Sequence, residues 1–253
     1  EDRQPQRGEQ ERRDLLQRVR RGEEVQRPGD ADDRDQQQVA WSQPAAARAF
    51  LNEWRELVVQ RRNHPSIVAW TPFNEVGENG DLGAHRRLVE ETVALTRALD
   101  PTRPINDCSG WVHVDTDVWT VHAYEQDPVA LRRQLAPPPP DPYRNQPALE
   151  PRYGGQPYVV DEFGGLKWVV AGGENRPEDW GYGDAPTSEE DFLRRLEGQV
   201  GALLSVPHVA GYCYTQLCDV EQERNGLYTA ARSAKFDPVR LRAIFGREPG
   251  RVR

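Results

Sequence analysis

The sequence contains no methionine, not even at position 1. The chain is therefore expected to begin inside a longer reading frame or after processing, so the lack of a leader segment is silent about secretion. The compartment stays open on that ground, with the cytoplasm favoured. Cysteine is scarce: only Cys108, Cys213 and Cys218 occur, without a C-x-x-C pair. That spacing excludes a disulfide framework or a cysteine-built metal site, and the three read as reduced core thiols. No apolar run approaches the ~20 residues that span a bilayer, so no membrane partner is expected. Positive charge is in deficit, with 33 Lys and Arg against 41 Asp and Glu and a net charge of −8. Such a balance argues against a nucleic-acid or anionic-membrane surface. His64, His85, His113, His122 and His208 are scattered without ligand spacing. No metal and no cofactor are expected.

Apolar residues are also rare in one stretch. Between residues 1 and 38 the clearly apolar ones are Leu15, Leu16, Val19, Val25 and Ala31. A segment so polar cannot bury enough surface to offset its ordering entropy, and it reads as a disordered or loosely helical extension. Residues 41–246 read as one domain, large enough for a single core, and 247–253 as a tail.

What is present is an alternation of short apolar strands and amphipathic helices. Ser42 and Pro44 open a helix with a hydroxyl cap and an early proline. Phe50, Trp54, Leu57 and Val58 then fall on one face. Ser66–Glu75 is a buried-strand pattern that ends abruptly in an amide and a carboxylate. A helix over Leu82–Leu99 follows, then strand patterns at 104–109, 117–124, 157–163 and 209–216. The last of these is preceded by a helix opened by Ser188. Strand and helix alternate from residue 42 to 216, the mark of parallel β/α units.

In a parallel α/β barrel all strand C-termini share one rim, where the chemistry sits. Two glutamates, Glu75 and Glu162, stand at such strand ends. Glycosidic bond cleavage needs a carboxylate pair of this kind, one to protonate the leaving oxygen and one to attack or to activate water. The alternative for each is an acid that caps a helix or pairs with arginine. Trp111, Trp168, Trp180 and Tyr214 offer faces for stacking on a sugar, with core or loop packing the alternative for most of the tryptophans, whereas Trp70 and Trp119 read as core.

The wording of these segments resembles a known family. Arg62-Asn63-His64-Pro65-Ser66, running on to Asn74-Glu75, is similar to the acid/base signature of glycoside hydrolase family 2, the family of β-galactosidases, β-glucuronidases and β-mannosidases. Asp161-Glu162-Phe163-Gly164 resembles that family's nucleophile strand, Gly211–Tyr228 its eighth strand and following loop, and Phe236-Asp237-Pro238 its usual ending. The resemblance implies a (β/α)8 TIM barrel and a retaining β-glycosidase that uses Glu75 as acid/base and Glu162 as nucleophile. It implies substrate contacts from Asn74, Asn106, Asp107, His122, Tyr124, Trp168 and Tyr214, with a carbohydrate as the partner. Members specific for glucuronides carry an Asn-x-Lys element where this chain has Glu223-Arg224-Asn225. An acid at that position repels a uronate, so a neutral β-hexoside such as a β-galactoside is expected, with Arg224 the one local counterweight.

Against that plan, only strands four to eight are visible, and residues 1–38 hold no apolar runs for strands one to three. A partial barrel leaves a strand edge uncovered. Missing N-terminal β domains or self-association are therefore expected, and a non-catalytic, carbohydrate-binding remnant stands as the alternative to a working enzyme.

Overall fold

The computed structural model describes residues 43–77, 81–173 and 175–248. The extension read at 1–38, the Ser42 cap and most of the tail at 247–253 lie outside the described residues.

Four of the five helices among the described residues begin where a side chain meets a free N–H of the first turn. Helix α1 (Pro44–Arg61) opens on proline behind Gln43, whose side chain makes no cap bond. The fixed φ of proline is what starts it. Asp81 caps α2 (Leu82–Leu99) through the Ala84 N–H, and Asp127 caps α3 (Pro128–Leu135) through that of Ala130. Ser188 accepts from Asp191 N at the start of α4 (Glu189–Leu204), and Asp237 from Val239 N at the start of α5 (Pro238–Phe245).

Five strands alternate with these helices: β1 (Phe73–Asn74), β2 (Cys108–Ser109), β3 (Trp119–Ala123), β4 (Tyr158–Gly164) and β5 (Val209–Thr215). β1 pairs with β2, and β3, β4 and β5 pair in that order, every ladder being parallel. Side chains close the seam between β2 and β3. The Thr120 hydroxyl lies 3.2 Å from the Cys108 carbonyl and accepts the Gly110 N–H at 3.0 Å, while the Asp117 carboxylate accepts from Ile105 N at 2.9 Å. Parallel strands with helical crossovers place all five C-terminal ends on one rim. Among the described residues β1 and β5 each keep one unpaired edge, so this arc of the barrel does not close.

Two apolar cores sit between the strands and the outer helices. The smaller joins α1 and α2 to β1 and β2 through Val58, Trp70, Phe73, Val89 and Ile105. The larger joins α3, α4 and α5 to β3, β4 and β5. β3 is buried along its whole length, the expected state of a central parallel strand covered on both faces. Trp70 and Trp119 lie in these cores. Phe192 is fully buried and stacks on Phe236 at 4.3 Å between ring centroids. Truncation there leaves a cavity, so Phe192→Ala is expected to cost about 3–5 kcal/mol, read from the urea midpoint at constant m-value.

Three expectations are corrected. The Ser66–Asn74 strand shrinks to Phe73–Asn74 plus one bridge from Trp70 to Ile105, and Val68 is 78 % exposed. Pro72 lacks the N–H that a ladder needs, and the segment has a partner on one side only among the described residues. Leu57 stays 43 % exposed on α1, because the helix buries the neighbouring Val58 instead. Of the three thiols only Cys108 is a core residue, since Cys213 on the edge strand β5 is exposed and Cys218 is half-buried. No helix among the described residues is long and apolar enough to cross a membrane.

Candidate active site

The site is built where β1, β2, β3 and β4 end. Glu75 follows β1 with φ at 50°, in the left-handed region that a non-glycine residue seldom enters. Its N–H bonds the Ser109 carbonyl at 3.1 Å, which fixes the turn and aims the carboxylate across the rim. Such backbone strain persists where the surroundings over-determine it. Trp111 takes the same conformation, at φ 51°, on the segment after β2. Gly110 makes room between them: a Cβ there would sit 2.7 Å from the His122 ring.

Strand alternation alone would send Asp161 and Glu162 to opposite faces of β4. The β3–β4 register breaks between Thr120 and His122, and the β4–β5 register breaks between Val160 and Phe163. Both carboxylates consequently reach one imidazole. His122 Nδ1 lies 2.6 Å from Glu75 Oε1 and 3.3 Å from Glu162 Oε2, and its Nε2 lies 3.5 Å from Asp161 Oδ1. Ser109 Oγ is 3.1 Å from Nε2 and donates to Asp161 Oδ2 at 2.7 Å. The His122 side chain is itself almost wholly buried, whereas Glu75 and Glu162 are about a quarter exposed, at 27 % and 23 %.

Tyr124, at the exit of β3, donates its hydroxyl to Glu162 Oε2. Its ring stacks on Tyr182 at 3.5 Å between centroids, and Tyr182 meets Trp180 edge to face at 5.4 Å. Burial first, and then the neighbouring Glu162 charge, push the Tyr124 phenol far up, so it remains a proton donor. The Tyr182 phenol is pushed up to about 12, mainly by burial. Burial also raises the Glu162 carboxyl, with the His122 charge and the Tyr124 hydrogen bond opposing it. Glu75, His122 and Glu162 form the one group among the described residues whose potential ligand atoms all lie within 4.8 Å of one another. At 2.6 Å, Glu75 and His122 stand at hydrogen-bonding distance from each other rather than spread around an ion.

The remaining residues named from the sequence are distributed unevenly. Asn74 is exposed at the tip of β1, beside Glu75. Asn106 sits behind the rim, buried, with Oδ1 against Thr120 and Nδ2 3.4 Å from Asp161. Asp107 turns the other way. It is wholly buried and accepts from His113 Nδ1 at 2.7 Å and from the N–H groups of Val114 and Asp115 at 2.6 and 2.8 Å. With both oxygens engaged it holds the loop before β3, which corrects the expected substrate contact. Trp168 packs against Phe192 and Phe236 in the larger core, and Tyr214 is buried against Gly164 with its hydroxyl on the Asn225 carbonyl. Neither presents a face to the rim, which corrects the stacking role expected for both. Ser109, Asp161 and Tyr182 reach the site without having been singled out. Tyr182 lies in the long segment after β4, and the register break that turns Asp161 inward leaves no mark in hydrophobic periodicity.

The loop after β5 closes the same side. Gln216 Nε2 donates to Glu223 Oε2 at 3.1 Å and to Asn225 Oδ1 at 2.9 Å. Arg224 points elsewhere, 3.3 Å from Asp179 and 3.9 Å from Asp219. Lys235 Nζ, almost fully buried, bonds Asp219 Oδ1 and the carbonyl of Trp168. Arg224 is thus turned toward Asp179, which Arg176 also pairs, and Asp219, which Lys235 also pairs, and is directed away from Glu223.

Known proteins match this chain in both sequence and fold. A β-glucuronidase of Bacteroides fragilis is 31 % identical over 131 residues, which cover 49 % of this chain and 19 % of that protein. A β-galactosidase of Vibrio vulnificus is 31 % identical over 64 residues, 25 % of this chain and 6 % of that one. Among solved structures, the β-D-glucuronidase of Dictyoglomus thermophilum superposes with a TM-score of 0.59 at 22 % identity, covering 81 % of this chain and 36 % of its own. A family 2 β-galacturonidase from Eisenbergiella tayi gives 0.58 at 19 % identity, covering 80 % of this chain and 37 % of its own. The chain spans about a fifth or less of these sequence relatives and about a third of the solved structures. The profile described as glycosyl hydrolases family 2, TIM barrel domain, matches residues 21–164, more than half of the sequence. The five-stranded arc is therefore part of a TIM barrel, and the chain belongs to glycosyl hydrolase family 2.

Proposed function

We propose that this chain carries the catalytic pair of a retaining β-glycosidase, with Glu75 as general acid/base and Glu162 as nucleophile. One observation carries the reading. Carboxylates from two separate β/α units meet at the rim with one oxygen of each within 4.8 Å of the other. Retaining enzymes hold their two carboxyl groups ~5–5.5 Å apart, whereas inverting enzymes leave ~6.5–9.5 Å for a water. Glu162, fixed by the Tyr124 hydroxyl, attacks the anomeric carbon as Glu75 protonates the leaving oxygen. Water activated by Glu75 then releases the sugar with its β configuration kept. Asn74, exposed next to Glu75, is placed to meet a sugar hydroxyl beside the scissile bond.

The substrate is a neutral β-hexoside, with a β-galactoside favoured. Glu223, held at the rim by Gln216, opposes a sugar carboxylate, and Arg224 is engaged by Asp179 and Asp219. The names of the sequence relatives favour two readings, a β-glucuronide and a β-galactoside. Parallel assays of aryl β-galactoside and aryl β-glucuronide distinguish them. We expect at least ~10-fold higher kcat/KM on the galactoside, given the cost of facing like charges. Faster cleavage of the glucuronide overturns the neutral-sugar reading. A first-formed α-sugar, seen by proton NMR, overturns retention. Turnover no faster than buffer alone favours a carbohydrate-binding remnant.

A further inference from the structure

His122 stands between all three carboxylates of the site, and its hydrogen bonds leave few places for protons. The Ser109 hydroxyl has one hydrogen, which it gives to Asp161 Oδ2 at 2.7 Å. Nε2, 3.1 Å from Ser109 Oγ, therefore faces a lone pair, with Asp161 Oδ1 3.5 Å away as a second acceptor. Nε2 must be the N–H of the ring. In a neutral imidazole Nδ1 is then a bare lone pair. Yet Nδ1 faces only carboxylate oxygens, Glu75 Oε1 at 2.6 Å and Glu162 Oε2 at 3.3 Å. Two lone pairs do not approach to 2.6 Å without a hydrogen between them. The ring cannot swing away to avoid the clash. Asn145 clamps its backbone on both sides at 2.9 Å, Gly110 lies against its face, and Trp111 packs on it at 5.6 Å.

We propose that Glu75 and His122 share one proton along the 2.6 Å line, so that the imidazole is a positioning residue that stores the proton Glu75 delivers. This inference rests on the reading of Glu75 as acid/base. Before reaction the proton sits on Nδ1, giving an imidazolium and a carboxylate, or on Oε1, giving a carboxylic acid and a neutral ring. When the leaving oxygen takes it, Glu75 becomes a carboxylate and His122 a neutral ring with Nε2–H retained, and the facing lone pairs push the partly exposed Glu75 carboxylate off the 2.6 Å line until a proton returns. When Glu75 then deprotonates the incoming water, the pair regains its proton. Charge and proton count return to their starting values.

The groups around His122 support this storage. Glu75 faces it from the end of β1, Asp161 and Glu162 from β4, and Tyr124 from the exit of β3. The His113–Asp107 pair lies behind Asp161, burial holds the Cys108 thiol neutral, and partial desolvation with the Asp161 and Glu162 charges pushes the Cys213 thiol up. Burial of the ring works to lower the His122 pKa, but the Glu75 hydrogen bond and the charges of Glu162, Asp161 and Glu75 outweigh it. The net shift is upward, so the His122 ring holds its proton to higher pH than a free imidazole does. Two titrating groups coupled this closely show macroscopic steps that belong to the pair.

The test is a nitrogen-15 NMR titration of the whole chain with labelled histidine, the His122 signal being identified by its loss in His122→Asn. We expect an imidazole with Nε2 protonated throughout and a midpoint above that of free histidine, moved down in Glu75→Gln. A neutral ring with its hydrogen on Nδ1, or a midpoint indifferent to Glu75→Gln, overturns the proposal. In turnover assays His122→Asn should move the basic limb of kcat/KM to lower pH and lower kcat more than it raises KM. An unmoved limb counts against the shared proton. A wild-type chain without turnover, whose NMR titration is nevertheless as expected, sinks the assignment of Glu75 as acid/base and leaves the shared proton standing.

Discussion

Glu162→Gln is expected to lower kcat on an aryl β-galactoside by ~10³-fold or more while leaving the fold intact. Glutamine matches the glutamate in shape, and its amide oxygen can still accept from the Tyr124 hydroxyl, so the local packing survives. What is lost is the carboxylate that, in the proposed mechanism, forms the glycosyl ester, and a neutral amide oxygen is a far weaker nucleophile. Each tenfold in rate corresponds to ~1.4 kcal/mol of barrier. Glu75→Ala separates the two proposed roles. A nitrophenyl leaving group departs without protonation, so this variant should still form the glycosyl-enzyme and then stall, because nothing activates water. Added azide, which needs no base, should restore turnover and yield a β-glycosyl azide. Azide rescue with the α configuration in Glu75→Ala would reverse the assignment of the two glutamates.

Asp107→Ala is expected to destabilise the chain by about 3–5 kcal/mol, the loss that follows when one partner of a buried ion pair is removed. The carboxylate and His113 are both wholly inaccessible to solvent. Truncation would leave His113 Nδ1 and the N–H groups of Val114 and Asp115 without acceptors, each a buried donor stripped of its partner. For a chain of this size 1 kcal/mol moves Tm by ~2–4 °C, so a fall of roughly 6–20 °C is expected in calorimetry. An unchanged Tm would show that the pair contributes nothing net. The pair also has a pH signature. Burial alone would raise the Asp107 pKa, but the hydrogen bond and charge of His113 and the backbone donors bring it down. Burial alone would lower that of His113, but Asp107 brings it up. A lowered acid stabilises above its unfolded pKa, and a raised base stabilises below its own. The contribution of the pair is therefore fully present between about pH 4 and 6.5, the unfolded values of the two groups. It is lost as acid reprotonates Asp107 and as alkali deprotonates His113.

Asp107 also shows where reading the chain alone falls short. From the sequence it stands beside Asn106 at the end of a strand, a natural place for a substrate contact. In the fold its carboxylate finds His113, six residues on, and the turn between them buries both. Trp168 and Tyr214 mislead in the same manner. Aromatic rings near a sugar-binding rim suit stacking, but Trp168 finds Phe192 and Phe236 on α4 and before α5, and Tyr214 finds the open face of Gly164. Burial of a large ring is a property of what packs against it, and that partner is distant in the chain.

The sequence by itself determined the alternation of strand and helix, the parallel rim that follows from it, and the identity of the two glutamates at that rim. Those features are local: apolar periodicity, a cap such as Ser188, and a carboxylate at the end of an apolar run. Only the tertiary structure decided that Glu75 turns inward through a left-handed backbone and that Asp161 and Glu162 both reach His122. It also decided that one imidazole stands between three carboxylates. These depend on register breaks and on side chains from four strands converging within a few ångströms. Such convergence comes from packing across the whole arc, and no stretch of residues read alone contains it.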